Sequence, residues 1–350
     1  MPSPASATPW TAASRPVERR TSPQRRFPIT HQPPVAQIIT PADEYAHVAQ
    51  LDSPGWIDNW WLTFADHATD VQGVIYTSHQ AGRAGFTRIF LTRGQATLLS
   101  IVGPTRSRIQ VGDGGLVRFG DVTYHCRAPY QRWSYAIATD ELSLDLDWEA
   151  FLPPYDWNWS TRTNSHHIEQ SGRVTGTIAV AGHTFAIDGL GQRDRAWGVR
   201  RADTFRRAWS SRGFHPDGSV LHASIIESDE RRMLFGYLGR PDHSVVLLDA
   251  LRLDIEHGDP DGVAACTQLH ARTVNGMTTS YEVRPRFVYT VTPRDLSARM
   301  YFTLTESLAA DGDRMIGQMD CWWRGTPSPD GAFEATGNDG RVENELWSPP

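Results

Sequence analysis

The sequence predicts an all-β protein built from two β units, and three observations support this. Short segments with period-two alternation of apolar and polar residues recur along the chain, and Gly, Pro, Asp and Asn separate them. Helical periodicity is almost absent. Roughly sixteen candidate strands exceed what one small barrel holds, and a chain of 350 residues is long enough for two cores.

The clearest strand is predicted over residues 141–151, where Leu142, Leu144 and Leu146 share one face and polar side chains share the other. Residues 173–187 predict a hairpin that turns at Ala181-Gly182. Residues 297–306 fit a helix or a strand, and their Tyr, Phe and Thr favour a strand. The remaining predicted strands are 56–65, 72–78, 88–91, 95–102, 132–138, 220–227, 233–238, 244–253 and 315–323.

The ends of the two units follow from changes in composition. Residues 1–33 are dense in Pro, Ser, Thr and Ala, so we expect a disordered tail that buries no core. Residues 153–159 are proline-led, aromatic and without alternation, and we place the boundary there. The predicted units are therefore an N-terminal β domain over 34–160 and a C-terminal β domain over 161–350.

Charge and composition exclude several classes of function. All 34 basic residues are arginine, which excludes Schiff-base, pyridoxal-phosphate and P-loop lysine chemistry. The net charge of -6, with both signs interspersed, argues against a nucleic-acid partner. No apolar run reaches the roughly 20 residues of a membrane span. Three widely spaced cysteines without a CxxC pair predict a reduced, cytoplasmic protein.

Metal and cofactor motifs are also missing from the sequence. It contains no HExxH, no GxSxG, no Walker A motif and no aspartate-rich motif of the ordinary terpene synthases. Its 13 histidines lack ligand spacing, and His166-His167 are adjacent on a predicted strand. We therefore expect neither a metal nor a cofactor.

The most distinctive segment is IDGLGQRDRAWGVR at residues 187–200. Gly189 and Gly191 follow a strand and predict a bulge or tight bend. One interpretation is an ion-pair cluster that closes a barrel end, with a tryptophan as its plug. In the other, Asp194 stays ionised among arginines and orients its neighbours, while Trp197 offers its ring to a ligand.

The run from His167 to Trp209, with its GxGxRDxxWGxR stretch, resembles the double lipocalin-like proteins of the carotenoid 1,2-hydratase (hydroxyneurosporene synthase) and AttH type. It is most similar to a bacterial branch whose core reads GxGxRDHSWGxR. Decalin-forming Diels–Alderases and some terpenoid cyclases resemble the same fold. The resemblance implies two lipocalin-like β-barrel domains, a hydrophobic pocket between or within them, and no cofactor.

One departure from the family pattern affects the expected chemistry. Arg195 stands where the family has histidine, and arginine cannot act as a general acid or base at ordinary pH. An anionic substrate group would suit Arg193, Arg195 and Arg200. His222 and a buried Glu169 with a raised pKa are candidates to supply the missing proton transfer, and both also fit structural roles.

The excess of tryptophan predicts an aromatic cleft. Each tryptophan alone fits a core, but together they exceed the needs of two small cores and suit a large apolar ligand. The residues expected to bind substrate are Trp61, Trp157, Trp159, Trp197 and Trp209, with Arg193, Arg195 and Arg200. The residues expected to carry catalysis are Asp194, His222 and Glu169.

These observations lead to one functional hypothesis and two alternatives. The first is a lyase or isomerase that cyclises, hydrates or isomerises a hydrophobic isoprenoid or polyketide-like molecule by acid/base assistance and templating. The second is a Diels–Alderase-like pericyclase in which the shape of the pocket accounts for most of the rate enhancement. The third is a non-catalytic carrier of an apolar metabolite. A titratable group facing an aromatic cavity would favour the first.

Overall fold

The protein is described by a computed structural model over residues 39–82, 85–104, 108–157, 165–199, 205–257, 264–291, 298–324 and 331–347. These ranges contain β-strands, turns and short 3-10 helices, and no α-helix, so the all-β prediction is confirmed. The predicted tail, residues 1–33, lies outside them. The strands are β1 (Trp56–Asp66), β2 (Val71–Gln80), β3 (Phe86–Arg93), β4 (Ala96–Pro104), β5 (Gln110–Val111), β6 (Leu116–Phe119), β7 (Val122–Ala128), β8 (Arg132–Ala138), β9 (Leu142–Ala150), β10 (Tyr155–Asp156), β11 (Ser165–Val180), β12 (His183–Val199), β13 (Arg207–Phe214), β14 (Val220–Glu227), β15 (Arg232–Gly239), β16 (Val245–His257), β17 (Ala264–Thr273), β18 (Thr278–Val291), β19 (Ala298–Ala309), β20 (Arg314–Arg324), β21 (Gly331–Thr336) and β22 (Arg341–Val342).

The first sheet is an open, curled half-barrel. Its main path runs β4-β3-β2-β1-β12-β11-β9-β8-β7-β6-β5, and β10 joins β11 to β22. The curl encloses an apolar core to which Trp60, Trp133 and Trp148 contribute fully buried rings. Burial alternates residue by residue along β9, which confirms the strand predicted over 141–151.

The second sheet is a closed barrel of eight strands. Its order is β15-β14-β13-β20-β19-β18-β17-β16, and β16 pairs again with β15, while β21 adds to β16. The side chains that fill the barrel include Trp209, Leu253 and Phe333. β19 covers the segment 297–306, so the preference for a strand there is confirmed.

Two apolar clusters hold the outer wall of the barrel against the first sheet, and both sheets lie in one compact unit. In the first cluster, Trp61 and Phe90 of the first sheet pack with Phe302 and Leu304 of the barrel. In the second, the rings of Tyr155, Trp157, Phe235 and Tyr237 come together with aliphatic side chains from both sheets. Buried polar side chains at this junction form the candidate site.

The chain passes from the first sheet to the barrel between Val199 and Arg207, well after the boundary predicted at residue 160. The reason is the hairpin of β11 and β12, which pairs with β9 on one side and β1 on the other and therefore belongs to the first sheet. The hairpin also extends beyond the predicted 173–187. Its turn is the predicted one, with positive φ at Ala181 and Gly182.

The bulge or bend expected at Gly189 and Gly191 is absent from the described hairpin, because β12 pairs without interruption through both residues. The glycines instead allow β1 and β12 to approach closely. A Cβ atom on Gly189 would lie 2.2 Å from the carbonyl oxygen of Ala65, and one on Gly191 would lie 2.9 Å from that of Thr63.

The three cysteines are free thiols. Cys126 and Cys321 are buried, whereas Cys266 is half-buried. In the part of the chain that the structure describes, no helix has the length and hydropathy to cross a lipid bilayer.

Candidate functional site

β12 distributes the arginine-rich motif over both faces of the first sheet. Because successive residues of a strand point to opposite faces, Gln192 and Asp194 face the barrel, whereas Arg193 and Arg195 face the core of the first sheet. The expectation that Asp194 is held by its flanking arginines is therefore wrong. Its partners are His167, 3.0 Å away on β11, and Arg212 of the barrel, at 3.7 Å.

A buried polar cluster connects the two sheets. We call it the interface cluster, and it consists of His167, Glu169, Gln192, Asp194, Arg212 and His222. Glu169 lies at its centre and is fully buried. The guanidinium of Arg212 donates two hydrogen bonds to this carboxylate, from Nε at 3.1 Å and from Nη2 at 2.6 Å. The three residues expected to carry catalysis, Glu169, Asp194 and His222, are thus brought together although they are far apart in sequence.

Glu169 is ionised, contrary to the expected raised pKa. Burial opposes its ionisation, but the charge of Arg212 above all, with a hydrogen bond from His167, outweighs burial and holds the pKa of Glu169 well below its usual range. Glu169 is therefore the buried ion-pair partner of Arg212. It is suited to orient a neighbouring group and to stabilise a positive charge there.

His222 lies between the interface cluster, which its Nδ1 contacts, and a group of aromatic rings. Its Nδ1 lies 3.3 Å from Glu169 Oε2 and 3.1 Å from Gln192 Nε2. The imidazole is fully buried, and its centroid lies 5.5 Å from that of Tyr237 and 5.7 Å from that of Trp157. Nε2 has no hydrogen-bond partner among the described residues.

The imidazole of His222 is neutral at physiological pH. Burial lowers the pKa of His222 to about 4, while the Glu169 carboxylate opposes the shift and Arg212 adds to it. With the ring proton on Nδ1, toward Glu169, the lone pair of Nε2 is open to a proton. With the proton on Nε2, the ring is a neutral hydrogen-bond donor. In both tautomers Nε2 is the atom that can act on a bound molecule.

His167 has the opposite electrostatic environment. Burial opposes its protonation, but the carboxylates of Asp194 and Glu169 raise the pKa of His167 above its ordinary value. Its ring stacks on Trp157 with centroids 4.1 Å apart. His167 and Arg212 therefore supply the positive charge that balances the two carboxylates.

The arginines on the opposite face are already neutralised. The two guanidinium nitrogens of Arg193 contact the Glu44 carboxylate at 2.8 Å and 2.7 Å. Arg195 pairs with Asp58 at 2.7 Å and covers the ring of Trp60. Both arginines are almost completely buried, so each serves as the cation of an ion pair that stabilises the first sheet.

The predicted tryptophans occupy different places. Trp197 is stacked between the rings of His47 and His166, on the side away from the barrel. Trp209 lies inside the barrel. Trp61 and Trp157 lie at the junction, next to the interface cluster. Arg200 and Trp159, also predicted to bind substrate, lie outside the described residues.

Three members of the interface cluster have donor atoms close enough to hold a metal ion. His167, Glu169 and Asp194 each offer one atom, all within 4.8 Å of one another. Arg212 already binds this carboxylate pair, and a divalent cation would compete with its fixed guanidinium charge. The donor set therefore suits an ion-pair network better than a metal centre.

Sequence reasoning missed Arg212, Gln192 and the role of His167. Each is a polar residue that faces the other sheet, in a stretch of strand where the neighbouring residues are buried or half-buried. That pattern is the signal that could have found Arg212, because a charged residue in the buried part of a strand needs a partner. Its partner lies on another sheet, which alternation along one strand does not reveal.

Residues 40–324 match the family described as Domain of unknown function (DUF7064). No curated protein matches the chain in sequence.

Three solved structures share the fold. An AttH protein from Nitrosomonas europaea is 15% identical with a TM-score of 0.60, over 82% of this chain and 97% of its own. CghA, also crystallised with Sch210972, is 13% identical with a TM-score of 0.63, over 86% of this chain and 97% of its own. Kievitone hydratase from Nectria haematococca is 13% identical with a TM-score of 0.50, over 82% and 95%. The resemblance seen in the sequence is confirmed at the level of the fold, and the chain belongs to the DUF7064 family.

Proposed function

We propose that the protein is a cofactor-independent enzyme that isomerises or cyclises an apolar, isoprenoid or polyketide-like molecule, with Glu169 and His222 as its acid/base dyad. One observation carries the proposal: within the described chain Nε2 of His222 has no hydrogen-bond partner and the imidazole lies among aromatic rings, while Nδ1 lies 3.3 Å from an ionised, buried carboxylate. In such a dyad the carboxylate orients the imidazole and stabilises the imidazolium that forms.

The protonation states favour one reaction type over another. A neutral His222 beside an ionised Glu169 is a base, and it lacks the acidity that adding a proton to an isolated alkene demands. In the proposed step Nε2 takes a proton from a carbon next to a carbonyl. In an isomerisation the resulting enolate takes the same proton back from Nε2 at another carbon of the conjugated system. In a cyclisation the enolate carbon adds to a conjugated C=C bond of the same molecule, the π bond of that alkene breaks, and the new anion takes the proton back from Nε2, so the product keeps the mass of the substrate. Isomerisation or cyclisation therefore fits the site better than hydration.

The fold also supports two alternatives that were considered from the sequence. CghA was crystallised with a small molecule, which is compatible with a templating pericyclase in which Trp61 and its aromatic neighbours shape the substrate. A carrier would use the same apolar surface without chemistry. Both alternatives assign no proton transfer to His222, and this difference separates them from the proposal.

Metabolite profiles of a gene-deletion strain test the proposal. The strain is complemented with the wild-type chain, with His222→Asn, or with the control His270→Asn, whose histidine lies on the outer face of the barrel. We expect the deletion to accumulate a compound that the wild type and the control convert to a product of equal mass. His222→Asn, which keeps a polar side chain but loses the base, should leave the compound unconverted.

Other outcomes identify the alternatives. Full conversion by His222→Asn would exclude the dyad and favour templating. A product heavier by one water would show a hydratase. Changed amounts without a substrate–product pair would indicate a carrier. Thermal melting of the purified variants at neutral pH establishes that a failure to convert does not come from unfolding.

A further inference from the structure

A row of cross-strand neighbours crosses the first sheet on the face that meets the barrel. Strand pairing places Arg88 of β3 opposite Tyr76 of β2, and Tyr76 opposite Trp61 of β1. The same row continues from Trp61 to Asp194 of β12 and from Asp194 to Glu169 of β11. One end of the row is the interface cluster, and the other end is a single arginine.

Arg88 is a buried cation without a counterion among the described residues. Its side chain is surrounded by aromatic rings, with the guanidinium carbon 4.3 Å from the ring centroid of Phe302, 4.7 Å from Phe86 and 5.2 Å from Tyr76. Arg88 is 9% exposed, and its Nε has no hydrogen-bond partner in the described ranges. Burial lowers the pKa of Arg88, and the opposing effects of the nearby tyrosines and of Asp320 do not cancel it.

A buried arginine is costly for folding when it lacks a counterion, and Arg88, which has none in the described ranges, contrasts with the arginines elsewhere in the junction. Arg193, Arg195 and Arg212 each have a carboxylate within 2.7 Å. Aromatic rings offset part of the cost of a desolvated cation, but they leave the buried Nε donor of Arg88 without an acceptor among the described residues. The rims of this region are also open to solvent in part, since Tyr76, Phe86 and Tyr289 are half-buried.

We propose that Arg88 binds the carboxylate of the substrate, whose apolar body lies over Tyr76 and Trp61 toward His222. The inference rests on the proposed function, because it places the ligand at the same junction. A single guanidinium in an apolar setting matches a monoanionic, planar carboxylate, whereas a diphosphate needs further cations that the rings around Arg88 do not provide.

The register sets the size of the ligand. Four strand spacings separate Arg88 from Glu169, and at about 4.8 Å each they span roughly 19 Å along the sheet. Trp61 lies midway, and its ring centroid is 4.8 Å from that of Tyr76 and 5.5 Å from that of Phe302. A chain of isoprenoid or fatty-acyl length with an acid at one end has the length to reach from the arginine to the dyad, and the packed rings of Trp61 and Phe302 must separate to admit it.

The proposed contact between Arg88 and the substrate carboxylate, which we call the anchor, is tested by comparing ligands that differ in their head group. Farnesoic acid, farnesol and farnesyl diphosphate share one hydrocarbon chain and differ only in the head group. Fatty acids and the matching alcohols extend the series to other chain lengths. Isothermal titration calorimetry measures the affinity of each ligand. We expect the wild type to bind the acid at least about tenfold more tightly than the alcohol, because a buried charge-assisted hydrogen bond is worth that much. Arg88→Met should remove this preference and leave the affinity for the alcohol unchanged.

Two controls make the result decisive. Arg252→Met removes an exposed arginine on the barrel surface and should keep the preference. Arg88→Met should melt at or above the temperature of the wild type, because it exchanges an unpaired buried charge for an apolar side chain of similar length.

Three results would overturn the anchor. The first is that the wild type prefers the acid to the alcohol at no chain length in the series, which includes the case in which it binds neither. The second is that the preference for the acid survives Arg88→Met. The third is that the diphosphate binds more tightly than the acid. His222→Asn should keep the preference, so a failure of the dyad and a failure of the anchor are distinguishable.

Discussion

The buried charge of Arg193 is balanced by a single carboxylate, which comes from a segment outside its own strand. Glu44 is fully buried, contacts both terminal nitrogens of Arg193, and also accepts hydrogen bonds from Tyr130 N and Trp133 Nε1. Glu44→Gln would leave a buried guanidinium without a counter-charge. We expect the free energy of unfolding to fall by about 3–5 kcal/mol, measured by urea denaturation.

The matched control for that change is Asp188→Asn, which breaks an ion pair with Arg173 in the same hairpin. Both side chains of this pair are more than half exposed. Because solvent screens such pairs, the control should cost no more than about 1 kcal/mol. Equal losses for the two variants would mean that the Glu44–Arg193 pair contributes no more than a surface contact.

The buried neutral His222 makes stability depend on pH. Its pKa is about 4 in the folded protein against 6.5 for the free side chain, so between these values the unfolded chain binds a proton that the folded chain does not. Stability is therefore lost as the pH falls from 6.5 toward 4, by on the order of 3 kcal/mol from this residue. His222→Asn should flatten this part of the curve in urea denaturation, and parallel curves would contradict the neutral state.

His167 should act in the opposite direction. Its pKa is raised in the folded protein, so its stabilising contribution is fully present below 6.5 and is lost as the pH rises through the folded pKa. We expect His167→Asn to be more destabilising at pH 6 than at pH 9, by the same measurement. An equal loss at both values would show that the carboxylates around His167 do not hold its proton.

At the scale of elements, β12 shows why glycines stand in the middle of a long strand. A Cβ on Gly189 would overlap the carbonyl oxygen of Ala65 on β1 at 2.2 Å, where backbone cannot move aside cheaply. Gly189→Ala should destabilise the protein by about 1–3 kcal/mol, seen as a lower melting temperature. Gly103→Ala on β4 is the control, because a Cβ there meets no atom within 4 Å. Similar melting of both variants would refute the close-approach explanation.

The strands of the first sheet show how much of the fold can be predicted from the sequence. Strands such as β9 could be predicted because one face is buried and the other is exposed, so burial follows the period of the strand. From Ser165 to Gln170 and from Gly191 to Trp197, polar residues are buried on both faces, and alternation of hydrophobicity disappears there. The predicted hairpin therefore stopped short of the segment that carries the site.

At the scale of the whole molecule, the site depends on which sheets meet. Glu169 and His222 were candidates from the sequence, but their contact arises because the outer wall of the barrel packs on the first sheet. Alternation along a strand gives the face of a residue and not its partner on another sheet. The role of Arg212 as the counter-charge could accordingly be assigned only from the folded chain, and so could the position of Arg88 as a cation without a counterion among the described residues.

The segment before β1 also acts on the whole first sheet. Glu44 binds Arg193, and the backbone oxygens of Asp43 and Tyr45 accept hydrogen bonds from Arg195, so this segment satisfies two buried arginines of β12. We expect a chain that starts at residue 39 to melt like the full-length protein, whereas one that starts at residue 51 should be less stable by several kcal/mol, since it leaves both guanidinium groups short of partners.

A peptide in trans separates loss of these contacts from a general effect of truncation. A synthetic peptide of residues 39–50 should bind the shorter chain and raise its melting temperature, because it restores the carboxylate and the two carbonyl acceptors. The same peptide with Glu44→Gln should restore less, since it lacks the charge that Arg193 needs. If the shorter chain melts like the longer one, or if both peptides stabilise it equally, the buried arginines do not depend on this segment, and the first sheet is held by its apolar core alone.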